Sequence, residues 1–176
     1  MFYGAFCAAL PTLECGVVPG ITLGEFDELA AGVLSDRKFQ KLISWDDAEA
    51  LPKVAVYRKM REFDDFLKLR IAENRREKLG LFDPLPEPDE LDSDVDYALP
   101  NAAASNDPLE RERLVDIIRW RKIDDLEVGH EMDFSALCCY RLRLSLLEKF
   151  HVRAADAGNI VFKEAVDQIA SQMSNM

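Results

Sequence analysis

Asn106 to Phe150, NDPLERERLVDIIRWRKIDDLEVGHEMDFSALCCYRLRLSLLEKF, is the stretch that decides the fold. Asp107 followed by Pro108 is a helix start, because Asp can accept from the free N–H groups and Pro suits the first helical position. Glu110 stands three residues after Asp107, in the manner of a capping box, and Leu114, Ile117 and Ile118 supply an apolar face. The polar, Gly-containing turn VGHEMD then separates two helices, expected near 108–127 and 134–152. In the second, Leu137, Tyr140, Leu144 and Leu147 recur at steps of three or four, and Leu142 and Leu146 widen the stripe into a fully packed face.

Just upstream, DPLPEPDELDSDVDYALPNAAASNDP holds five prolines and eight acidic residues between Asp83 and Asp107, with no Lys or Arg. So dense a run of like charge predicts a linker or extended arm and not a packed element. The competing reading is an electrostatic clamp on a basic partner, or on the basic helix of its own chain. That helix spans roughly Lys53 to Leu79, with Val56, Met60, Phe63, Leu67 and Ile71 in one stripe, Pro52 at its first position and Gly80 as its C-cap. It carries nine basic residues against five acidic ones, and its closing NRREKLG puts cations where the helix dipole favours them.

Nearer the N-terminus, Thr22 and Glu25 form a capping box and Ile21 and Phe26 a hydrophobic staple. They open a helix from Leu23 to about Leu34 that faces inward with Phe26, Leu29, Ala30 and Val33. Ser35 is placed to cap a short helix carrying Phe39, Leu42 and Ile43. Phe2 to Leu10 is apolar and reads equally as a helix turn or a strand. After the central pair, Asp156 is expected to cap a last helix with Phe162, Ala165, Val166, Ile169 and Met173 inward. Nothing alternates with period two for long enough to demand a sheet. The expected fold is an all-α multi-helix bundle: an N-terminal helical part over 1–82, an acidic Pro-rich linker over 83–107, and a C-terminal helical part over 108–176, within one compact domain.

At 176 residues, with 48% hydrophobic content, the chain can bury a sizeable core. Its net charge of −11 argues against a duplex nucleic-acid binder and against a surface that seeks anionic lipid. Of 33 acidic residues, eight lie in the Pro-rich run, leaving 25 against 22 basic elsewhere. Four cysteines, Cys7, Cys15, Cys138 and Cys139, form no C-x-x-C pair and read as reduced, mostly buried cytoplasmic thiols. The apolar MFYGAFCAAL lacks a basic leader and is too short to span a bilayer.

Little of this announces chemistry. His130 and Glu131 could form a metal or acid–base pair, but no second His follows at i+4, and a His in a helix–helix turn is more simply solvated. His151 reads as a cation at a helix C-terminus. Asp64–Asp65 and Asp124–Asp125 diverge on a helix and sit among cations, unlike the facing carboxylates of a glycosidase. No P-loop, G-x-G-x-x-G or G-x-S-x-G occurs. The expectation is a non-enzymatic chain with no cofactor and no metal. The best surface candidate is Arg119, Trp120 and Arg121, residue types enriched at binding hot spots. In the alternative, Trp120 lies in the core while the arginines pair with Asp116 and Asp124.

Three blocks resemble an uncharacterised bacterial family encoded within operons for V-type (archaeal/vacuolar-type) ATPases. They are FYGAFCAALPTLECGVVPGITLGEFDEL; Tyr57 to Asn74, with Phe66, Leu69, Arg70 and Asn74; and the central stretch from Asp107 to Phe150. The last is similar to the family's Asn-Pro-Leu-x-x-Glu, Arg-Trp, Gly-His-x-x-Asp and Tyr-x-x-x-Leu-x-x-x-Glu-(Arg/Lys) order. Gly4–Ala5 departs from it, where bulkier residues are usual. The resemblance implies a helical, non-catalytic component of a rotary ATPase, a stand-in for the helical piece that couples the central stalk to the membrane ring. It adds Arg70 and Asn74 to the candidate interaction surface. Its implied partners are V-type ATPase subunits, with no nucleic acid and no membrane insertion. The implied location is cytoplasmic, at the inner membrane face through the complex. A transient assembly factor or regulator of that ATPase, and a generic helical interaction domain, are the alternatives.

Overall fold

A computed structural model describes residues 3–47, 54–81 and 93–152, and within them the fold is all-α. The helices are α1 (Gly4–Ala9), α2 (Leu23–Val33), α3 (Asp36–Ile43), α4 (Ala55–Lys78), α5 (Ser93–Ala104), α6 (Pro108–Glu127) and α7 (134–152), with no strand among the described residues. The apolar N-terminal segment is therefore a helix turn and not a strand.

The most enclosed element is α7. Leu137, Cys138, Cys139 and Leu144 are fully buried and Leu142 and Leu147 nearly so, which leaves little of the helix facing water. Asp133 begins it, accepting from the backbone N–H of Ser135 (2.6 Å) and Ala136 (3.1 Å). On one side Phe26 of α2 packs against Tyr140, ring centroids 5.1 Å apart, while the Tyr140 hydroxyl donates to the Pro11 carbonyl at 2.8 Å. Glu148 accepts from the backbone N–H of Leu23 at 2.7 Å, tying the start of α2 to the end of α7.

Thr22 and Glu25 form the expected reciprocal capping box. The inward face of α2 differs from expectation, however. Phe26 and Ala30 are buried, but Leu29 (52% exposed) and Val33 (50%) face outward. The reason is Asp27, which is drawn inward by Arg141. The inward arc becomes Leu23, Phe26, Asp27, Ala30 and Leu34, still at helical spacing but rotated from the most apolar arc. At α3 the helix starts where expected, yet the Ser35 hydroxyl makes no capping bond. Likewise Asp107 caps α6 through the Leu109 N–H at 2.9 Å without a reciprocal bond from Glu110, which pairs weakly with Arg113 instead.

On α4, Val56, Met60, Phe63 and Leu67 are buried as the stripe predicts, with Ile71 half-buried. Gly80, at φ +70°, closes the helix, and the next N–H, of Leu81, returns to the Arg76 carbonyl at 2.9 Å. Pro52 and the helix expected after Asp156 lie outside the described residues.

The acidic run requires a correction. Its second half is the helix α5, packed on α4 and α6, with Val95, Leu99 and Ala102 buried. Charge density misled because Val95, Leu99 and Ala102 recur at i, i+4 and i+7, a buried stripe that the neighbouring Asp residues leave uninterrupted. Asp96 accepts from Arg70 of α4 at 2.6 and 2.9 Å, so this part of the run does contact the basic helix of its own chain.

Candidate interaction site

Between α6 and the last turns of α7 lies a groove of about 340 Å³. Ile117 and Trp120 form one wall, and Leu146, Leu147 and Phe150 the other. Arg113, Arg121 and Asp124 stand around it. The groove exists because α6 and α7 fold back on one another through the turn from Val128 to Asp133. There Gly129 adopts φ +80° and Met132 φ +60°, and the Met132 carbonyl accepts from the Tyr3 N–H at 2.8 Å. A left-handed backbone is natural for glycine and strained for methionine. The bond from Tyr3 helps to hold it.

Trp120 is half-buried and held in place. The Arg143 guanidinium lies 5.7 Å from its ring centre and is itself fixed by Asp124 and Glu127, each at 2.6 Å. Burial works against the Arg143 charge, but these two carboxylates more than offset it and raise its pKa. A rigid aromatic with one face in an open groove loses little entropy when a partner covers it.

The three candidate residues on α6 are therefore divided. Trp120 and Arg121 line the groove, Arg121 being exposed. Arg119 turns away and binds Asp64 of α4 at 2.9 Å and Asp116 at 2.8 Å, as a half-buried clamp between helices. Arg119 thus meets Asp116 as the alternative sequence reading has it, whereas Asp124 is taken by Arg143. Arg70 is engaged with Asp96 and Glu73, and Asn74 donates to the Arg70 carbonyl at 3.1 Å. Both lie away from the groove. Sequence reasoning missed Arg143 and Phe150, although the spacing of Arg143 and Leu147 on one side of α7, four residues apart, was a usable signal.

The remaining titratable groups have structural tasks. His130 Nδ1 lies 2.9 Å from Asp133. Burial would raise Asp133, but His130 and the two backbone N–H groups outweigh it and hold the carboxyl below its usual range. Burial pushes the Cys138 and Cys139 thiols up to about 12, which leaves them un-ionised at neutral pH. Cys15, at the groove edge, is also raised by burial, with Arg113 opposing. The described groove lining includes no His, Ser, Thr, Lys or Tyr, so its chemistry is apolar contact framed by charge. Among the described residues no group of His, Cys, Asp and Glu is placed to hold a metal, and no helix is long and apolar enough to cross a membrane.

The fold and the groove together define a structural class, an all-α bundle with an aromatic-walled groove between α6 and α7. A family model described as "Protein of unknown function (DUF2764)" matches residues 94–173. Over that span, which includes α6, α7 and hence both walls of the groove, the chain is similar to that family. No curated protein and no solved structure matches the chain.

Proposed function

We propose that the protein is a non-catalytic helical interaction module that holds a protein partner in the Trp120 groove. The observation that carries this reading is an indole pinned by Arg143 beside an apolar cleft, with Arg113 and Arg121 at its edge. Trp and Arg in a concave, partly desolvated setting are what binding hot spots are made of. The resemblance in the three sequence blocks supplies the partner: a component of a bacterial V-type rotary ATPase. In that setting the chain joins the central stalk to the membrane ring, peripheral to the bilayer, and transmits torque through packed helices. The Arg141, Arg119 and Arg70 networks, which bind helices to one another, favour the rigidity such a role requires.

Purification of the ATPase from cells carrying the tagged chain tests this. The expected result is retention at fixed stoichiometry through detergent extraction, with loss on Arg121→Glu. Loss of the chain on extraction favours a transient assembly factor. Deletion that leaves ion pumping fully coupled to ATP hydrolysis overturns the coupling role.

A further inference from the structure

On the opposite face of α6 from Trp120 lies a smaller pocket of about 140 Å³, between the end of α4, α5 and the start of α6. Arg111 and Val115 point to it from α6 and are about half a helical turn away from Ile117 and Trp120. Its apolar floor is half-buried Ile71 and Ala103 over buried Leu99 and Val115, and Arg75, Lys78 and Arg111 stand around it with Glu112. Three cations against one acid is a local reversal in a chain of net charge −11.

Two of the three cations donate to backbone carbonyls, and among the described residues none of the three meets a carboxylate. Lys78 donates to the Ala103 carbonyl, and Arg111 to the Ser105 carbonyl at 2.8 Å. Backbone carbonyls accept hydrogen bonds without cancelling a full charge. Arg111 Nε is sealed from solvent with no acceptor at all, an arrangement that normally destabilises a fold. Among the described residues no carboxylate pairs with Arg75, Lys78 or Arg111. One turn earlier on α4 the situation is the reverse, since Arg70 is closed off by Glu73 and by Asp96 of α5. Beyond Asp96, α5 continues as YALPNAAA, with no acid to place over the later cations.

We infer that this pocket is a second docking site, and that its occupant is an acidic amphipathic helix of a partner protein. A Glu side chain fits both halves of the site: its methylenes cover Ile71 and Ala103, and its carboxylate meets the cations of Arg75, Lys78 and Arg111 in charge-assisted contacts. A free inorganic anion would leave the apolar floor uncovered. Because the two sites lie on opposite faces of α6, the chain can hold two partners at once. The inference does not depend on the groove reading, and the two fail separately.

The test is titration of the full-length protein, by amide NMR at about 50 mM salt, where surface charge is weakly screened. The probes are a designed helical peptide with Leu and Glu one turn apart, its Gln-for-Glu twin, and inorganic phosphate. The Glu peptide is expected to shift amides of Leu99–Ala103 and Arg111–Val115, leaving Trp120 and Phe150 unmoved. It should bind at least tenfold more tightly than the twin. Arg75→Gln, at an exposed position that folding tolerates, should weaken it several-fold, and Arg111→Gln more. Equal binding of the twin, no binding of either peptide, or shifts centred on Trp120 overturn the proposal. So does phosphate binding there as tightly as the peptide, which marks a free-anion site. Concentration-dependent shifts of the same amides without any probe overturn it in favour of a second copy of the chain.

Discussion

Arg141 and Arg143 stand two residues apart on α7 and face opposite sides of it. Arg141 is 1% exposed and makes four hydrogen bonds of 2.7 to 3.1 Å, to Asp27 and to Asp46. Its partners are 114 and 95 residues away in the chain, so the network exists only when the N-terminal helices have docked on α7. Arg143 binds Asp124 and Glu127, only 19 and 16 residues back, within the α6–α7 hairpin, and its flat face supports Trp120. The same side chain serves as a bolt through the core in one place and as backing for an open surface in the other. What separates them is the reach of their partners. Long-range carboxylates make an arginine structural, and local ones leave its neighbourhood available to a ligand.

The largest test of this contrast is Arg141→Met, which keeps the volume and removes the fork. Two carboxylates would then face each other without a cation. Removing one member of a buried ion network costs about 3–5 kcal/mol. The lower end applies here, because Asp46 is 57% exposed and regains water. A loss of about 3 kcal/mol corresponds to a Tm about 6–12 °C lower by calorimetry for a chain of this size. Arg141→Lys should recover only part, since an ammonium cannot bridge both carboxylates in the plane of a guanidinium. An unchanged Tm in Arg141→Met would mean that apolar packing, and not the ions, binds α2 to α7.

Arg119→Ala comes next, at about 2 kcal/mol, through loss of charge-assisted bonds to Asp64 and to the buried Asp116. Chemical denaturation is the suitable measure. If the midpoint does not move, Arg119 belongs with the binding surface after all.

These two arginines also mark how far the sequence could be read. The α6 and α7 bounds, the Thr22–Glu25 cap and the α4 stripe were legible because each depends on neighbours three or four residues apart. The rotation of α2 was not, because it turns on Asp27 meeting a side chain 114 residues away. The packed helix α5 was hidden for a different reason: its buried residues are few and small, and the charges between them dominate any average over the segment. At the groove, Trp120 and Arg121 were identifiable by residue type alone. That Arg119 would point away follows from the 100° step between neighbours on a helix, but its direction depends on where α4 and Asp64 lie.

A smaller effect is expected at the turn that joins the two helices. Asp133→Ala removes the N-cap of α7, at a cost of about 1 kcal/mol. The dependence on pH gives a second readout. With its folded pKa depressed, Asp133 contributes stability above its unfolded value, about 3.9, and loses it as pH falls through the lower folded value. The difference in stability between wild type and Asp133→Ala should therefore narrow below about pH 4. A difference constant through that range would assign the effect to helix propensity alone.

The smallest change in stability, and the one that most sharpens the contrast, belongs to Arg121→Ala. Arg121 is exposed and its neighbour Asp124 is engaged by Arg143. A surface substitution of this kind shifts stability by no more than about 0.5 kcal/mol. Beside Arg119→Ala it forms a pair, two residues apart on α6, in which one variant loses stability and the other keeps it. Capture of the partner should show the converse: Arg121→Ala weakens it while the melting curve stays in place, because the lost contact lies at the groove and not between helices. Should both variants lose stability equally, the groove wall is part of the core, and Trp120 is packed there for the fold and not for a partner.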